Sequence, residues 1–561
     1  MRSFRSRKGW FRYSMALVAT AVVGGLPFLI LPAFAGYELP PGERITNLPH
    51  IPRAMPQKEA YEIYDPVIGR NFDLKNLWLR ADLRVRPEWR TNTCFGSTNF
   101  TSSTVLLGNG ACNAFNAKGT PGKANDFYVQ QWIRLGIGYD LSPDVNFYME
   151  IIDSANWGSN GSAANAGNGG DPLNHSCSAQ AGAPTGGIGC RLGVRAGYVL
   201  VRNLANIQGL SMKAGRQYVI FGNHSLFGHF DWANTGYSHD GIMFAYQTQA
   251  FDSYLGWFRN SEGDLVQAAP VGSLGPPVAG GTGTAGVQDA NRDADMIVFY
   301  NQLKNIPGFL IEPYYVYYKN NYGAGTNFAF GGGTPKASNQ TRHMVGGRIE
   351  MRKGNWDLIT ENAWQFGAMG NAGCQGQEKC RHINAWASRN WIGYTWYEHK
   401  WKPRLAANFD YASGDGRNYC ATTGERCATA NTFENFFPTN HIHMGYADII
   451  AWKNMWTPQA NLQFRPSERD HFEIWYSNMN VASSRDCWYR AAQGCYVQPR
   501  AGVTSNHIGD EIDFTWTRMF ADGKVAFQAT YSEFWPGAYT SANLGTNAPQ
   551  SWGFVQLWMN F

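Results

Sequence analysis

Four arginines alternate with other residues in the stretch from Leu77 to Arg90 and share one phase of it with only two carboxylates. The even positions of this stretch carry Arg80, Asp82, Arg84, Arg86, Glu88 and Arg90. Successive side chains of a β-strand point to opposite faces, so these charges would form one ladder on one face. A guanidinium is always charged and presents a planar fork of donors that matches carboxylate and phosphate groups. If this face borders water, the ladder predicts a surface that attracts and guides anions.

Other charged residues fall in phase with similar alternation elsewhere in the chain. We expect the same water-facing surface to carry Arg134, Arg191, Arg195, Arg216, Arg348, Arg404, Glu150, Glu511 and Asp513, with Arg216 fitting the alternation less clearly. These residues are predicted to line a pore. Rings of fixed charge determine which sign of ion a pore prefers. The alternative is that the arginines pair with neighbouring acids and brace the structure.

Motifs for catalysis or cofactor binding are missing from the sequence. It contains no G-x-S-x-G nucleophile motif, no phosphate-binding P-loop, no dinucleotide fingerprint and no C-x-x-C zinc spacing. His441 and His443 would point to one face of an extended strand, but no carboxylate follows at metal-like spacing. We therefore predict no enzymatic activity, no cofactor and no metal site.

Ten cysteines fall into five pairs of sequence neighbours, each in a stretch rich in Gly, Asn, Ser or Ala. The pairs are Cys94 with Cys112, Cys177 with Cys190, Cys374 with Cys380, Cys420 with Cys427, and Cys487 with Cys495. In an exported chain, an even count with local pairing predicts disulfides. Each would close a short loop.

The elements that position these residues are alternating strands. The apolar/polar alternation recurs about eighteen times, and only 16% of the residues are charged, against about 25% in typical soluble domains. Apart from the extreme N-terminus, no apolar run reaches the roughly 18 residues of a membrane helix. We predict an all-β fold, a transmembrane antiparallel β-barrel of about 18 strands over residues 76–561. The abundant Trp and Tyr are expected to form interfacial girdles.

The connectors between the predicted strands alternate in length. Short ones, such as those near 141–144 and 353–355, take turns with long ones near 91–125, 157–190, 261–291, 320–340, 367–382, 412–446, 483–505 and 535–549. Outer-membrane barrels have short periplasmic turns and long extracellular loops, whereas soluble sandwiches do not sort connectors this way. All five cysteine pairs fall on the long-loop side.

The N-terminus predicts export. Five basic residues precede an apolar stretch and the small-residue site Ala33-Phe34-Ala35, so residues 1–35 are predicted to be a signal peptide read by the Sec pathway. Its removal takes five of the 47 basic residues and leaves 42 of each sign, so net charge gives no reason to expect a nucleic-acid partner. Residues 36–75 form a Pro-rich periplasmic segment that could bind a periplasmic partner or plug the barrel.

The C-terminus alternates from Ser551 and stops on Phe561. This ending is similar to the closing-strand signal read by the outer-membrane insertion machinery, so Phe561 is predicted to serve as that signal. The predicted location is the bacterial outer membrane, with lipid contacting the outer face.

Short motifs spread from about residue 76 to the end resemble those of the alginate-export porin family. They are Gly215-Arg216-Gln217-Tyr218 with Gly222, Asp231-Trp232 and Asp240-Gly241; Phe437-Pro438 with His441 and Gly445; and Gly509-Asp510-Glu511-Ile512-Asp513. The resemblance implies a monomeric eighteen-stranded outer-membrane barrel with an arginine-rich pore for an anionic polysaccharide. The ten cysteines and the Pro-rich segment depart from that pattern.

The expected function is a porin-like channel for passive passage of small or oligomeric polar solutes, with anions favoured by the arginines. The expected solute is an anionic small molecule or oligosaccharide. The alternative is a non-conducting barrel that docks surface or periplasmic partners.

Overall fold

The computed structural model describes the chain in eleven pieces. They are residues 74–92, 95, 125–157, 192–232, 236–261, 294–320, 340–369, 381–416, 429–491, 495–497 and 499–560. The predicted signal peptide (1–35), nearly all of the Pro-rich segment, Arg191 and Phe561 lie outside these residues, so the predictions made for them stay predictions.

Four of the five predicted disulfides also fall outside the described residues. They are the pairs Cys94 with Cys112, Cys177 with Cys190, Cys374 with Cys380, and Cys420 with Cys427. These four pairings stay predictions from the spacing of the cysteines in the sequence. The fifth pair, Cys487 and Cys495, lies in the described chain and forms a disulfide.

Eighteen antiparallel strands of the described chain form one closed barrel, as predicted. Each pairs with the next along the chain, and the first strand pairs with the last, with Arg84 opposite Trp558. The barrel strands are β1 Leu77–Arg90, β2 Asp126–Ser142, β3 Val145–Trp157, β4 Leu192–Val201, β5 Leu210–Gln217, β6 His239–Gln247, β7 Phe251–Ser261, β8 Ala294–Leu303, β9 Phe309–Asn320, β10 Gln340–Lys353, β11 Trp356–Met369, β12 Arg381–Thr395, β13 Arg404–Ala412, β15 Met455–Phe464, β16 Asp470–Val481, β19 His507–Phe520, β20 Val525–Pro536 and β21 Gln550–Asn560.

The described residues also contain short elements outside the barrel strands. In the connections lie three strands of two or three residues, β14 Thr429–Ala430, β17 Trp488–Tyr489 and β18 Cys495–Val497, and an α-helix, Ala538–Leu544. A 3-10 turn at Leu74–Asn76 precedes β1, and others occur at Leu204–Asn206, Asn440–Ile442 and Ala521–Gly523. None of the helices in the described ranges is long and apolar enough to cross a membrane.

The two faces of the wall differ in chemistry. Apolar side chains such as Leu79 and Leu135 are exposed on the outer face, while Arg84 and Arg134, in the opposite phase of the same strands, are buried inside. A row of contacting aromatic rings follows the outer face near the short-turn rim: Trp401, Phe464, Phe472, Trp516 and Phe527. This row fits the predicted interfacial girdle, because aromatic rings favour the boundary between lipid and water.

Connector lengths alternate strictly around the barrel. The connections at one rim have two to eight residues, and those at the other rim have eleven or more. Gly354 adopts φ 60° in the two-residue link between β10 and β11. Tight hairpins require this conformation, and glycine adopts it without strain. The predicted layout is confirmed, but the long connection 218–238 was not predicted.

The hydrophobic core of the described chain lies inside the barrel. It combines inward-facing wall residues, such as Val298 and Trp475, with residues of two long connections, including Phe221, Phe227, Phe436, Phe437 and Trp452, all with an exposed fraction of 9% or less. Apolar side chains in that position show that these connections enter the lumen.

Candidate pore constriction

Two connections fold into the lumen and meet there. The first inward segment is residues 218–238, between β5 and β6, of which 233–235 are outside the described residues. The second inward segment is residues 431–454, between β14 and β15. Both carry many buried polar groups, which must find hydrogen-bond partners because burial without them is costly. Those partners are on the inner wall.

Asp231 anchors the first inward segment to the arginines of β2 and β4. Its carboxylate accepts hydrogen bonds from Arg134 (Nη1 to Oδ2, 2.9 Å) and Arg195 (Nη2 to Oδ1, 3.1 Å). Burial alone would raise the pKa of Asp231, but Arg134, His229 and Arg195 together hold that pKa below its usual range. The anchor is therefore an ionised carboxylate between two guanidinium groups.

Backbone carbonyls of the first inward segment are held by β1. Arg84 donates to the carbonyl oxygen of Asp231, and Arg86 donates to that of Trp232 at 2.9 Å. The same segment reaches the opposite wall, where Arg389 of β12 donates to the Ser225 hydroxyl at 2.7 Å. The segment thus crosses the lumen from β1 to β12.

The second inward segment is held from β1 and from the acidic strand β19. The amide of Ala447 donates to Glu511 Oε1 at 3.0 Å, and that of Tyr446 donates to Asp513 Oδ2 at 3.4 Å. From the other side, Arg90 donates to the Ala447 carbonyl at 3.0 Å. The acidic strand thus accepts hydrogen bonds from backbone amides, and the guanidinium of β1 donates one to a backbone carbonyl. Each bond is charge-assisted.

The two inward segments also bond to each other. Phe227 and Phe437 form a parallel β-bridge, in which Gly228 N donates to Phe437 O (2.8 Å) and Phe437 N donates to Leu226 O (3.0 Å). Because parallel pairing needs strands that run the same way, this contact fixes the direction of both segments across the lumen.

A four-residue cluster, Arg86, Trp232, His441 and Asp448, joins the wall to both segments. The Arg86 guanidinium lies 3.5 Å from the centroid of the Trp232 ring, and His441 stacks on Trp232 at 3.6 Å. Asp448 accepts the indole N–H of Trp232 at 3.0 Å and contacts His441 Nδ1 at 3.0 Å. We call this cluster the Trp232 latch.

Arginines outnumber carboxylates at the level of the inward segments on the β1–β4 side. In the described residues, six arginines stand here against the four carboxylates Asp82, Glu88, Glu150 and Asp231. Arg80, Arg86, Arg134 and Arg195 form ion pairs with these carboxylates. Arg84 and Arg90 donate instead to the backbone carbonyls of Asp231 and Ala447. The acidic residues Glu473, Glu511 and Asp513 lie instead on β16 and β19. The inner wall is therefore polarised, with its positive side on β1–β4.

The remaining predicted inner-wall residues are also engaged. Arg348 pairs with Glu312 and Glu350. Arg404 pairs with Asp357 (Nη2 to Oδ1, 2.6 Å) near the short-turn rim. Glu150 accepts hydrogen bonds from two tyrosines, Tyr148 and Tyr218. The arginines of the described wall thus brace the inner structure as well as charge it.

Arg216 is the exception, because it lies on the outer face. It pairs directly across the sheet with Asp240. In the same phase of that strand, Ile242 and Phe244 are exposed on the outer face. The prediction of a lumen position is therefore wrong for Arg216. The reason is that β5 is short and Gly215, at φ 123°, packs against the backbone of β4, which leaves too little alternation to fix the phase.

The two histidines considered as metal ligands diverge. His441 belongs to the Trp232 latch, while His443 Nε2 contacts the backbone carbonyl of Asn223 at 2.7 Å. Groups of three or more His, Cys, Asp or Glu side chains able to hold a metal do not occur in the described part of the chain.

The disulfide between Cys487 and Cys495 confirms one of the predicted pairs. It joins the ends of β17 and β18, which form a separate two-stranded ribbon in the connection between β16 and β19. Trp488 of this ribbon is buried and donates its indole N–H to the carbonyl of Ile449 at 2.8 Å. The stapled ribbon therefore packs against the second inward segment.

Sequence reasoning missed the first inward segment. β5 ends at Gln217, and none of the long connections predicted from the sequence covers residues 218–238. A signal was available, because Asp231-Trp232 interrupts the alternation with an acid beside a large aromatic ring. Strand parity alone, however, does not assign such a pair to the lumen.

A family model described as "Alginate export" matches residues 191–554, which is more than half of the chain. The chain belongs to the alginate export family. The alginate export match spans β4 to β21 and includes both inward segments, but it begins after β1–β3. Five of the arginines on the positive side of the lumen, four on β1 and one on β2, therefore lie in strands that precede the match.

The chain is similar to several solved structures, one of which is described as an outer membrane protein. They include OprD from Pseudomonas aeruginosa (8% identity, 86% of this chain and 93% of that chain, TM-score 0.45). OpdQ from Pseudomonas aeruginosa is also similar (10% identity, 87% of this chain and 98% of that chain, TM-score 0.46). So is OccAB2 from Acinetobacter baumannii (9% identity, 86% of this chain and 98% of that chain, TM-score 0.46). No curated protein sequence matches the chain.

Proposed function

We propose that this alginate export family protein is an outer-membrane channel for passive passage of small or oligomeric polar, anionic solutes. The observation that carries the proposal is the surplus of arginines over carboxylates where β1–β4 face the inward segments. A fixed positive field in a narrow lumen lowers the electrostatic barrier for anions and raises it for cations.

The geometry supports a competition mechanism. Arg84 and Arg90 donate to backbone carbonyls of the inward segments, at Asp231 and Ala447. A carboxylate or phosphate oxygen is a stronger acceptor than a carbonyl, because the bond is charge-assisted on both sides. An anionic solute would exchange with these carbonyls one at a time, so that its passage and the displacement of the segments are linked.

Family membership supports an anionic solute without fixing which one. The family is described by alginate export, and alginate is an anionic polysaccharide. Function depends on the site and not on the fold, and the strands with five of the arginines lie outside the family match. Export through the Sec pathway, an insertion signal at Phe561 and a periplasmic partner for residues 36–75 are parts of the same proposal.

The test is the reversal potential of the purified protein in a planar bilayer under a potassium chloride gradient. Wild type is expected to prefer chloride. The double variant R84Q/R90Q should lose most of that preference, whereas R216Q, which removes one arginine charge from the outer face, should leave it unchanged. A cation-selective wild type, or an R84Q/R90Q variant with wild-type selectivity, would contradict the proposal.

A non-conducting docking barrel is the second candidate. It is favoured by the burial of wall arginines beneath the inward segments: the exposed fraction of Arg86, Arg134 and Arg195 is 2% or less. The two candidates separate when the Trp232 latch is broken. No conductance in wild type, and none after W232A, would favour docking; deletion of residues 36–71 should then abolish capture of a periplasmic partner.

A further inference from the structure

Five charged residues form a row on the outer face of β5 to β9. Their register places them side by side: Arg216 opposite Asp240, Asp240 opposite Arg259, Arg259 opposite Asp295, and Asp295 opposite Lys319. The signs alternate along the row, with three cations and two carboxylates. Charged side chains are costly on a lipid-facing surface, so a contiguous row there calls for a partner.

The depth of the row follows from the strand bounds. Each of the five lies within two residues of the long-loop end of its strand. The next row toward the short-turn rim is apolar and exposed on the outer face, with Ile242, Trp257 and Ile297 in register. Large exposed apolar groups mark the hydrocarbon zone of the membrane. The charged row therefore lies at the boundary between hydrocarbon and head groups of the extracellular leaflet.

The two cations at the ends of the row keep donors available. Arg216 bonds Asp240 through Nε (2.8 Å) and Nη2 (2.6 Å) and Val194 O through Nη1 (3.2 Å). These three bonds use three of the five N–H groups of the guanidinium, and the other two can donate to another acceptor. Within the described chain, Lys319 makes no ion pair or side-chain hydrogen bond. Neighbouring strands are about 4.8 Å apart, so successive cations are roughly 10 Å apart along the row.

The opposite side of the barrel lacks this arrangement. At the long-loop ends of β19 and β20, the outer face carries Asp510 and Glu533, which accept hydrogen bonds from Tyr476 and Tyr531. At the other rim, Arg518 pairs with Asp470 on the outer face. A repeating row of cations at the extracellular boundary is thus confined to β5–β9 in the described wall.

We propose that the row of Arg216, Arg259 and Lys319 binds the phosphate groups of lipid A, the glycolipid anchor of the extracellular leaflet. Phosphates at that depth meet guanidinium and ammonium groups, and such contacts are charge-assisted. Asp240 and Asp295 pair with Arg216 and Arg259 and compete with the phosphates for these guanidinium groups. The site fixes lipopolysaccharide against one side of the barrel, next to the strands that flank the first inward segment.

The test uses the full-length protein in detergent, titrated with bis-phosphorylated lipid A and followed by native mass spectrometry. The variant R216Q/R259Q/K319Q should bind about a hundred-fold more weakly, from roughly five-fold per cation. R518Q, a matched arginine at the opposite rim, should bind as wild type does. Dephosphorylated lipid A should bind wild type and the triple variant alike.

Wild-type lipid A affinity in the assembled triple variant would overturn the proposal, as would equal binding of dephosphorylated and bis-phosphorylated lipid A to wild type. D240N/D295N decides the matter if the triple variant fails to assemble. It keeps all three cations and removes two like charges from the neighbourhood of the phosphates, so its lipid A affinity should rise. An unchanged or lower affinity would overturn direct phosphate binding.

Discussion

Replacing Trp232 by alanine should release the first inward segment from the wall. The substitution removes a buried cation–π contact with Arg86, worth about 2 kcal/mol, and a stack on His441, worth about 1 kcal/mol. It also removes the indole hydrogen bond to the Asp448 carboxylate, worth about 2 kcal/mol. These values are not additive, and released groups regain water, so we expect docking to weaken by about 3 kcal/mol.

A loss of about 3 kcal/mol corresponds to roughly a hundred-fold change in the docking equilibrium. Hydrogen exchange measures it directly, through the amides of Gly228 and Phe437 that pair across the two segments. Their exchange should accelerate about a hundred-fold in W232A. W232F keeps an aromatic ring at this position but loses the N–H donor and weakens the cation–π contact, so its rates should lie in between.

W257A is the matched control, because Trp257 is an exposed tryptophan on the outer face. It should leave the exchange of both amides unchanged. The reasoning would be refuted by a W232A protein that assembles normally, as judged by heat-dependent migration, and still shows wild-type protection at Gly228 and Phe437.

Three other substitutions or conditions test separate parts of the structure. Burial lowers the pKa of His441 below its ordinary 6.5, so the docked segments bind fewer protons than the released ones and docking should weaken as pH falls below about 6.5. Relative to the intrinsic rates, amide exchange should therefore be faster at pH 5.5 than at pH 7.5. The variant H441Q should remove this difference. Replacing Cys487 and Cys495 by serine should destabilise their loop by about 2–3 kcal/mol, detected as faster limited proteolysis. In G138A the new Cβ would lie 1.9 Å from the Trp78 ring, so overpacking should cost about 1–3 kcal/mol in urea unfolding, with shifted tryptophan fluorescence.

Local patterns in the sequence predicted the wall of the barrel well. Alternation between Leu77 and Arg90 identifies a strand and the side of it that carries the arginines, because the side-chain period of a strand is two. Arg134, Arg195 and Arg348, which the same argument assigned to the inner face, are buried. The assignment was wrong for Arg216, because the short β5 gives few residues from which to read a phase.

The contents of the lumen could not be predicted in the same way. The backbone carbonyls held by Arg84, Arg86 and Arg90 lie between 146 and 357 positions away in sequence. The pair Asp231-Trp232 interrupts the alternation, but no residue near it or near Ala447 in the sequence indicates where the backbone will run. A loop path depends on contacts with every wall it touches, and such contacts are non-local.

Strand order, the polarity of the two faces and most of the alternation between short and long connections could be predicted from the sequence, because each follows from neighbours along one strand or turn. The folded chain was needed to show that two connections enter the lumen, that they bond to each other, and that the arginine ladder holds them there. It also brought Arg216, Arg259 and Lys319 into one row, since cross-strand register depends on closing the sheet. The physical reason is the same in both cases: charge on a face is local, whereas the partner of that charge is set by packing.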